Sequence, residues 1–235
     1  MYKLSIVIPA YNEEKKISKD IEAVYEYFNQ SSLEGELIIV DDGSKDDTYN
    51  VAKSFKGKFN SLNVITYEHN RGKGYAVKTG MLSASGEYIL FADAGLCVPF
   101  KCIDLGLELL KKGNDIAIGN RQTNAKIVLK QPFYRRAGSR VFHLLIEIFK
   151  IIPSGVEDTQ CGFKVFKKDV AHEIFRKIFT EGFMWDIEML RIAAKAGYKV
   201  ISFPVEWKND PDTRFNPFIG SFEDSLQILN IILRT

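Results

Sequence analysis

The sequence predicts an α/β fold: a mostly parallel sheet with helices on both faces, followed by C-terminal amphipathic helices. Three observations predict it. Up to residue 120, short apolar runs alternate with stretches of helical periodicity. The runs are continuously apolar, as in strands covered on both faces. Several of them end in polar residues, where a parallel sheet presents ligand-binding loops.

The elements follow in order. Leu4–Pro9 reads as the first strand. Ile17, Ile21, Val24, Tyr25 and Phe28 then repeat at helical spacing. Leu37–Val40 is the second strand, and a helix is expected from about Asp46-Asp47, where acids suit a helix N-terminus. Val64–Tyr67 is a third strand. Gly74–Ala84 reads as a helix with a small face of Val77, Gly80, Met81 and Ala84. Tyr88–Ala92 is a fourth strand, Ile103, Leu107 and Leu110 mark a helix, and Asp115–Gly119 is a further strand.

The second half differs. A helix is expected at 136–152, apolar around most of its circumference, with His143, Glu147 and Lys150 as its polar strip. Such a helix is buried or lies against lipid. A strand-like segment follows near Cys161–Phe166, then a helix at Met184–Ala196 and a strand at Val200–Trp207. Phe222, Leu226, Leu229 and Leu233 mark a final amphipathic helix. The expected organisation is one domain over 1–215, with a ligand-binding half at 1–120 and a second half at 121–215. A C-terminal amphipathic helix occupies 216–235.

Composition excludes several classes. The 235 residues are 46% hydrophobic and 26% charged, which is globular rather than disordered. Cys97, Cys102 and Cys161 form no C-x-x-C pair, so neither a disulfide framework nor a zinc site is expected, and a reducing cytosol suits the chain. No apolar run approaches the about 20 residues that span a bilayer, so membrane contact is expected to be peripheral. The net charge of +2 is uninformative, but its distribution is not. Arg121, Lys126, Lys130, Arg135, Arg136 and Arg140 fall in a stretch without an acid. That suits an anionic ligand or phosphate-bearing surface, and equally a solvated basic loop.

The polar signatures lie at three strand ends: Pro9-Ala10-Tyr11-Asn12-Glu13, Asp41-Asp42-Gly43-Ser44 and Asp93-Ala94-Gly95. Each alone is an ordinary turn with a helix cap. In this order they converge on one edge of the sheet. No G-x-G-x-x-G follows the first strand, and no G-x-x-x-x-G-K-[ST] occurs. Asn70-Arg71-Gly72-Lys73-Gly74 precedes a helix and could bring backbone and a cation to a phosphate.

With these pieces the sequence resembles the family-two glycosyltransferases, through Ile6–Glu13, Val40–Ser44, Asn70–Gly74 and Phe91–Ala94. Asp158-Thr159-Gln160-Cys161-Gly162-Phe163-Lys164 and Trp185-Asp186-Ile187-Glu188 are similar to the branch of dolichyl-phosphate glucosyltransferases and polyprenyl-phosphate mannosyltransferases. The resemblance implies a GT-A fold and an inverting transfer of a hexose, glucose favoured, from a nucleoside diphosphate sugar such as UDP-glucose to a polyprenyl phosphate. It implies that Pro9, Ala10, Tyr11, Glu13, Asp41 and Asp42 hold the nucleoside, and that Arg71 and Lys73 close over the donor. Asp93 would contact the diphosphate-bound Mg2+ or Mn2+. Arg121, Arg135, Arg136 and Ser139 would meet phosphate, while Gln160 and Trp185 would line the acceptor side. Asp93, Asp158 and Asp186 are the catalytic candidates.

One position departs from the resemblance. The family's Asp-x-Asp ends here in Gly95, which removes a carboxylate from the ion's surroundings and predicts weaker metal affinity. A metal-independent or inactive site is an alternative. A phosphate monoester has its second pKa at about 6, so a phosphate acceptor needs no strong base. A hydroxyl acceptor would, with Asp158 or Asp186 as candidates. The rival functions are transfer to a hydroxyl of a cell-surface polysaccharide and non-catalytic binding of a sugar nucleotide. A cytosolic membrane face is the expected location. No nucleic-acid partner is expected, and a homo-oligomer or membrane-protein partner is left open.

Overall fold

The structure, a computed structural model, describes residues 2–59, 61–121, 153, 155–208, 227–228 and 230–234. Seven strands occur among them: β1 (Leu4–Ala10), β2 (Gly35–Asp41), β3 (Leu62–Thr66), β4 (Tyr88–Ala92), β5 (Ile116–Asn120), β6 (Phe163–Lys167) and β7 (Val200–Pro204). The helices are α1 (Ile17–Ser31), α2 (Thr48–Ser54), α3 (Lys73–Ser83), α4 (Ile103–Lys111), α5 (Lys168–Lys177) and α6 (Trp185–Ala196).

The strands form one sheet in the order β3-β2-β1-β4-β6-β5-β7. β1 pairs in parallel with β2 and β4, and β2 with β3, so their carboxyl ends share an edge. Right-handed crossovers decide the layers. The chain steps outward from β1 through β2 to β3, which sets α1 and α2 on one face. The return from β3 to β4 reverses direction and sets α3 on the other, against β1 and β2. β1 and β4 are buried along their whole length. Ile6, Ile8, Ile38, Leu90 and Phe91 are fully enclosed or nearly so, each worth about 1.5–3 kcal/mol of burial.

β6 is the exception to parallel order, running antiparallel to both β4 and β5. The reversal has a consequence for the site. β6 begins at the edge where β4 and β5 end, so Gly162 lies beside Asp93, and the Asp93 amide donates to the Gly162 carbonyl at 2.9 Å. A single antiparallel strand thereby delivers residues 158–164 to the ligand edge.

The expected elements recur with shifted ends, and β7 stops at Pro204 rather than Trp207. Helix α5 is an addition. Its Val170, Ala171, Ile174 and Phe175 form a buried face within a strongly polar sequence. The expected helix at 136–152 lies outside the described residues. Of the final helix, Ile228 and Ile231 are buried against Met184 and Ile187, whereas Leu233, placed on its apolar stripe by the sequence, is 74% exposed. The described part of that helix thus docks on α6. Among the described residues, no helix is long and apolar enough to cross a membrane.

Candidate active site

The ends of β1 and β2 are interlocked by side chains. The Asn12 amide donates to Ser44 Oγ at 2.8 Å, and the Lys45 amide to Asn12 Oδ1 at 2.7 Å. Thr48 Oγ1 accepts from the Glu13 amide at 2.7 Å. Asn12 adopts a left-handed backbone with φ 52°, a conformation asparagine tolerates better than most residues. Pro9 and Ala10 are buried in β1, so only their backbone can face a ligand; the Ala10 carbonyl accepts from the Asp42 amide at 2.8 Å. Tyr11 and Glu13 are half-buried at the rim. Asp41 accepts from Thr66 Oγ1 at 2.8 Å.

Asp42, expected to help hold the nucleoside, has its carboxylate engaged by its own chain. One oxygen accepts from Tyr67 Oη at 2.6 Å and the Arg71 amide at 2.9 Å; the other accepts from Asn70 Nδ2 at 2.8 Å and the Gly72 amide at 3.0 Å. A carboxylate has about four acceptor positions, and all are taken. Asp42 therefore organises the 67–72 turn. Burial, with the hydrogen bond to Asp42, raises the Tyr67 hydroxyl well above its ordinary pKa, so it stays a donor. The turn leans on residues 178–182: the Glu181 carbonyl accepts from the Tyr75 amide at 3.2 Å, and Arg71 pairs with Glu181 at 2.6 Å. Glu188, fully buried on α6, holds that loop by accepting from the Phe179 and Thr180 amides at 3.0 and 2.9 Å.

The organised turn ends at Lys73, the first residue of α3. Lys73 Nζ lies 2.7 Å from Asp93 Oδ1 at the end of β4. Burial pulls the Lys73 ammonium down, but Asp93 and Asp186 outweigh it and keep the group cationic. Asp93 itself remains about a third open, at 30% side-chain exposure. Its carboxylate rests over Gly162, where a β-carbon would fall 1.9 Å from Oδ2. Any side chain at 162 would force Asp93 or the start of β6 to shift.

Two further ion pairs complete the rim. The Arg121 guanidinium grips Asp158 through Nε at 2.7 Å and Nη2 at 2.6 Å, and the Arg121 amide adds a bond at 2.9 Å. Burial pushes Asp158 up, yet Arg121 holds it below the ordinary carboxylate range. Lys164 is fully buried in β6 and donates to Asp186 Oδ1 and to the Cys161 carbonyl, both at 2.6 Å. Burial pushes Asp186 up, against the pull of Lys164 and Lys73. Arg121 feels the Asp93 charge and Lys73 feels Asp186, so the three pairs form one electrostatic cluster.

Trp185, expected to line the acceptor side, is fully buried, edge-on to Phe91 at 4.9 Å and tilted against Phe175 at 5.8 Å between ring centroids. It is core, and it seats α6 so that Asp186 and Glu188 face their partners. Gln160 is half-buried between Asp158 and Lys164. Arg135, Arg136 and Ser139 lie outside the described residues. Among the residues that sequence reasoning passed over, Lys164 carried a signal: a lysine between Phe163 and Val165 in an apolar strand needs a buried partner. Asp20 carried another, since it sits on the apolar stripe of α1 between Ile17 and Val24.

The carboxyl edge of the wound sheet thus sets a partly open carboxylate against a lysine, within reach of further cations. The fold is GT-A, and the chain is a glycosyltransferase. It belongs to glycosyl transferase family 2, whose sequence profile matches residues 5–175. The dolichyl-phosphate beta-glucosyltransferase of Dictyostelium discoideum is 32% identical over 98% of this chain and 74% of its own. The human protein of the same description is 33% identical over 99% and 75%. The glucosyl-3-phosphoglycerate synthase of Mycobacterium tuberculosis, solved with Mn2+, UDP and glucosyl-3-phosphoglycerate, superposes with a TM-score of 0.74 at 20% identity, covering 99% of this chain and 79% of that one.

A divalent ion is thus accommodated by this fold. In this chain the donor set is narrow. Asp158 and Asp186 are committed to Arg121 and Lys164, and among the described residues no group of three or more potential ligands exists. Of Asp93, Asp158 and Asp186, Asp93 is the one whose carboxylate keeps an open side. The site fits an ion held by one protein ligand and otherwise by donor oxygens and water.

Proposed function

We propose that this chain transfers glucose from UDP-glucose to a polyprenyl phosphate, inverting the anomeric centre. The observation that carries the proposal is the Lys73–Asp93 pair at the mouth of the cluster. Lys73 can pass from Asp93 to a diphosphate oxygen and stabilise the departing charge, a contribution that grows in a partly dry site. A divalent ion beside Asp93 would supply the same kind of neutralisation. Tyr11, Glu13, the Ala10 backbone and the 70–73 turn would frame the nucleoside and its phosphates. The relatives' activity supports glucose and dolichyl phosphate as the chemical classes.

The carboxylates favour a phosphate acceptor over a hydroxyl. A general base at neutral pH needs free lone pairs and a pKa near 7. Asp158 has neither, because Arg121 takes both oxygens and holds the group ionised. Asp186 is committed to the buried Lys164. An acceptor phosphate arrives already ionised. Arg121, with Arg135, Arg136 and Ser139 from the basic stretch, would receive it at a membrane surface.

The test is a screen of sugar nucleotides against a polyprenyl phosphate with mass detection of product. Glucosyl polyprenyl phosphate from UDP-glucose is expected. Transfer only to soluble or polysaccharide hydroxyls, or donor binding without transfer, would replace the proposal with one of its rivals.

A further inference from the structure

We propose that Asp20, on the far side of the sheet edge from Lys73, is a positioning residue that sets the Asp93 carboxylate by clamping the turn behind it. The inference rests on the reading of Asp93 as the carboxylate facing the donor diphosphate. Asp20 is 1% exposed, in the first turn of α1. Its two oxygens accept from the Gly95 amide at 3.0 Å each, and Oδ1 also accepts from the Leu96 amide at 2.9 Å. Both residues that own those amides have positive φ. Gly95 has φ 95° and Leu96 φ 51°.

The two successive amides of this turn converge on one carboxylate, as turn backbone does when it takes an anion. Here the anion is the chain's own. A leucine does not enter that backbone region unaided. The buried carboxylate supplies the compensation, because hydrogen bonds to a charged acceptor are the stronger kind. Once residues 95 and 96 are fixed, Asp93 is fixed from both sides: by the turn on one, and by the bond of its amide to Gly162 on the other. The same geometry gives Gly95 a positive role. The family's second aspartate would have to adopt φ 95°, which a side chain disfavours. Gly95 and Asp20 are one device, in which a ligand carboxylate is exchanged for a clamped turn.

The experiment compares wild type with Asp20→Ala, Asp20→Asn and Gly95→Ala. UDP binding is measured by calorimetry with Mn2+ and with chelator, beside hydrogen exchange at residues 93–96 and thermal melts. Asp20→Ala and Gly95→Ala are expected to expose the 95 and 96 amides and to bind UDP in Mn2+ at least tenfold more weakly. Asp20→Asn keeps one acceptor oxygen and is expected to stay within about threefold of wild type, a rescue that mere core damage would not show. Gly95→Ala decides the matter if Asp20→Ala does not fold, since it strains the turn without emptying the core. Wild-type UDP affinity in Asp20→Ala or Gly95→Ala, or unchanged exchange at 95 and 96, overturns the inference. Failure of the wild type itself to bind UDP would overturn the functional reading instead, leaving exchange at the turn to judge the clamp.

Discussion

Lys73 Nζ stands 2.7 Å from Asp93 Oδ1, and Lys73 is the residue that immediately follows the turn pinned by Asp42. The two carboxylates therefore act in series. Asp42 fixes backbone, the backbone presents an ammonium, and the ammonium meets the carboxylate at the end of β4. Neither acid could do the other's work, because Asp42 has its acceptor positions filled while Asp93 is left half-open.

Asp93→Asn and Lys73→Met should separate activity from stability. Both side chains are partly exposed, at 30% and 28%, so neither variant leaves a deeply buried charge unpaired. Each removes a charge aimed at the departing diphosphate, and kcat should fall by roughly 10²–10³. Melting temperatures should move by only a few degrees. Steady-state kinetics beside circular-dichroism melts checks this, and near-normal turnover in either variant would remove the pair from the chemistry.

Asp42→Asn should behave in the opposite way. The amide retains one acceptor oxygen and turns its NH2 toward donors, leaving part of the set of Tyr67, Asn70, Arg71 and Gly72 unsatisfied. The cost is about 1–3 kcal/mol, a drop in Tm on the order of 5 °C for a chain of this size. Donor KM should rise as the turn loosens, with kcat less affected. An unchanged melt would show that the turn holds without the carboxylate.

Much of this was legible in the sequence, and the limits have physical causes. The strands of the first half could be read because each is an uninterrupted apolar run between turn residues. Asp42 and Asp93 were legible as candidates by their position after strands. The division of labour between them was not, since it depends on Tyr67 and Asn70 arriving from another strand end. Trp185 shows a related limit: an aromatic beside Asp186 reads as part of an acceptor site, but α6 turns the indole toward Phe91 and the carboxylate toward Lys164. The antiparallel entry of β6, which juxtaposes Gly162 and Asp93, has no local signature, because strand direction is set by the whole topology.

Gly162→Ala tests that juxtaposition. The added methyl would fall 1.9 Å from Asp93 Oδ2, so the carboxylate or the start of β6 must move. Asp93 is the softer of the two, being at a strand end and partly open. A displacement of about 1 Å at a reacting group can lower turnover by roughly 10²-fold. The expected result is a folded protein with strongly reduced kcat. A variant as active as wild type would mean that the Asp93 position is not critical, and would count against its assigned role.

The pH dependence of stability gives a reading of Asp20 that is independent of any ligand. Burial pushes this carboxyl up from 3.8 to about 6, against the Gly95 and Leu96 amides, which pull it down. A folded-state value above the unfolded one means that the native protein binds the proton more tightly. The resulting stabilisation is complete below pH 4 and is lost as pH rises to about 6. The interval corresponds to roughly 3 kcal/mol. Other acids titrate in the same range, so the informative quantity is the difference between wild type and Asp20→Asn, which cannot ionise at this position. Denaturant unfolding at pH 4, 5, 6 and 7 should show the wild type losing about 2 kcal/mol relative to the variant across the series, the rest of the interval lying below pH 4. A difference that stays flat would mean that Asp20 ionises at the same pH folded and unfolded, so that the amides at 95 and 96 fully offset its burial.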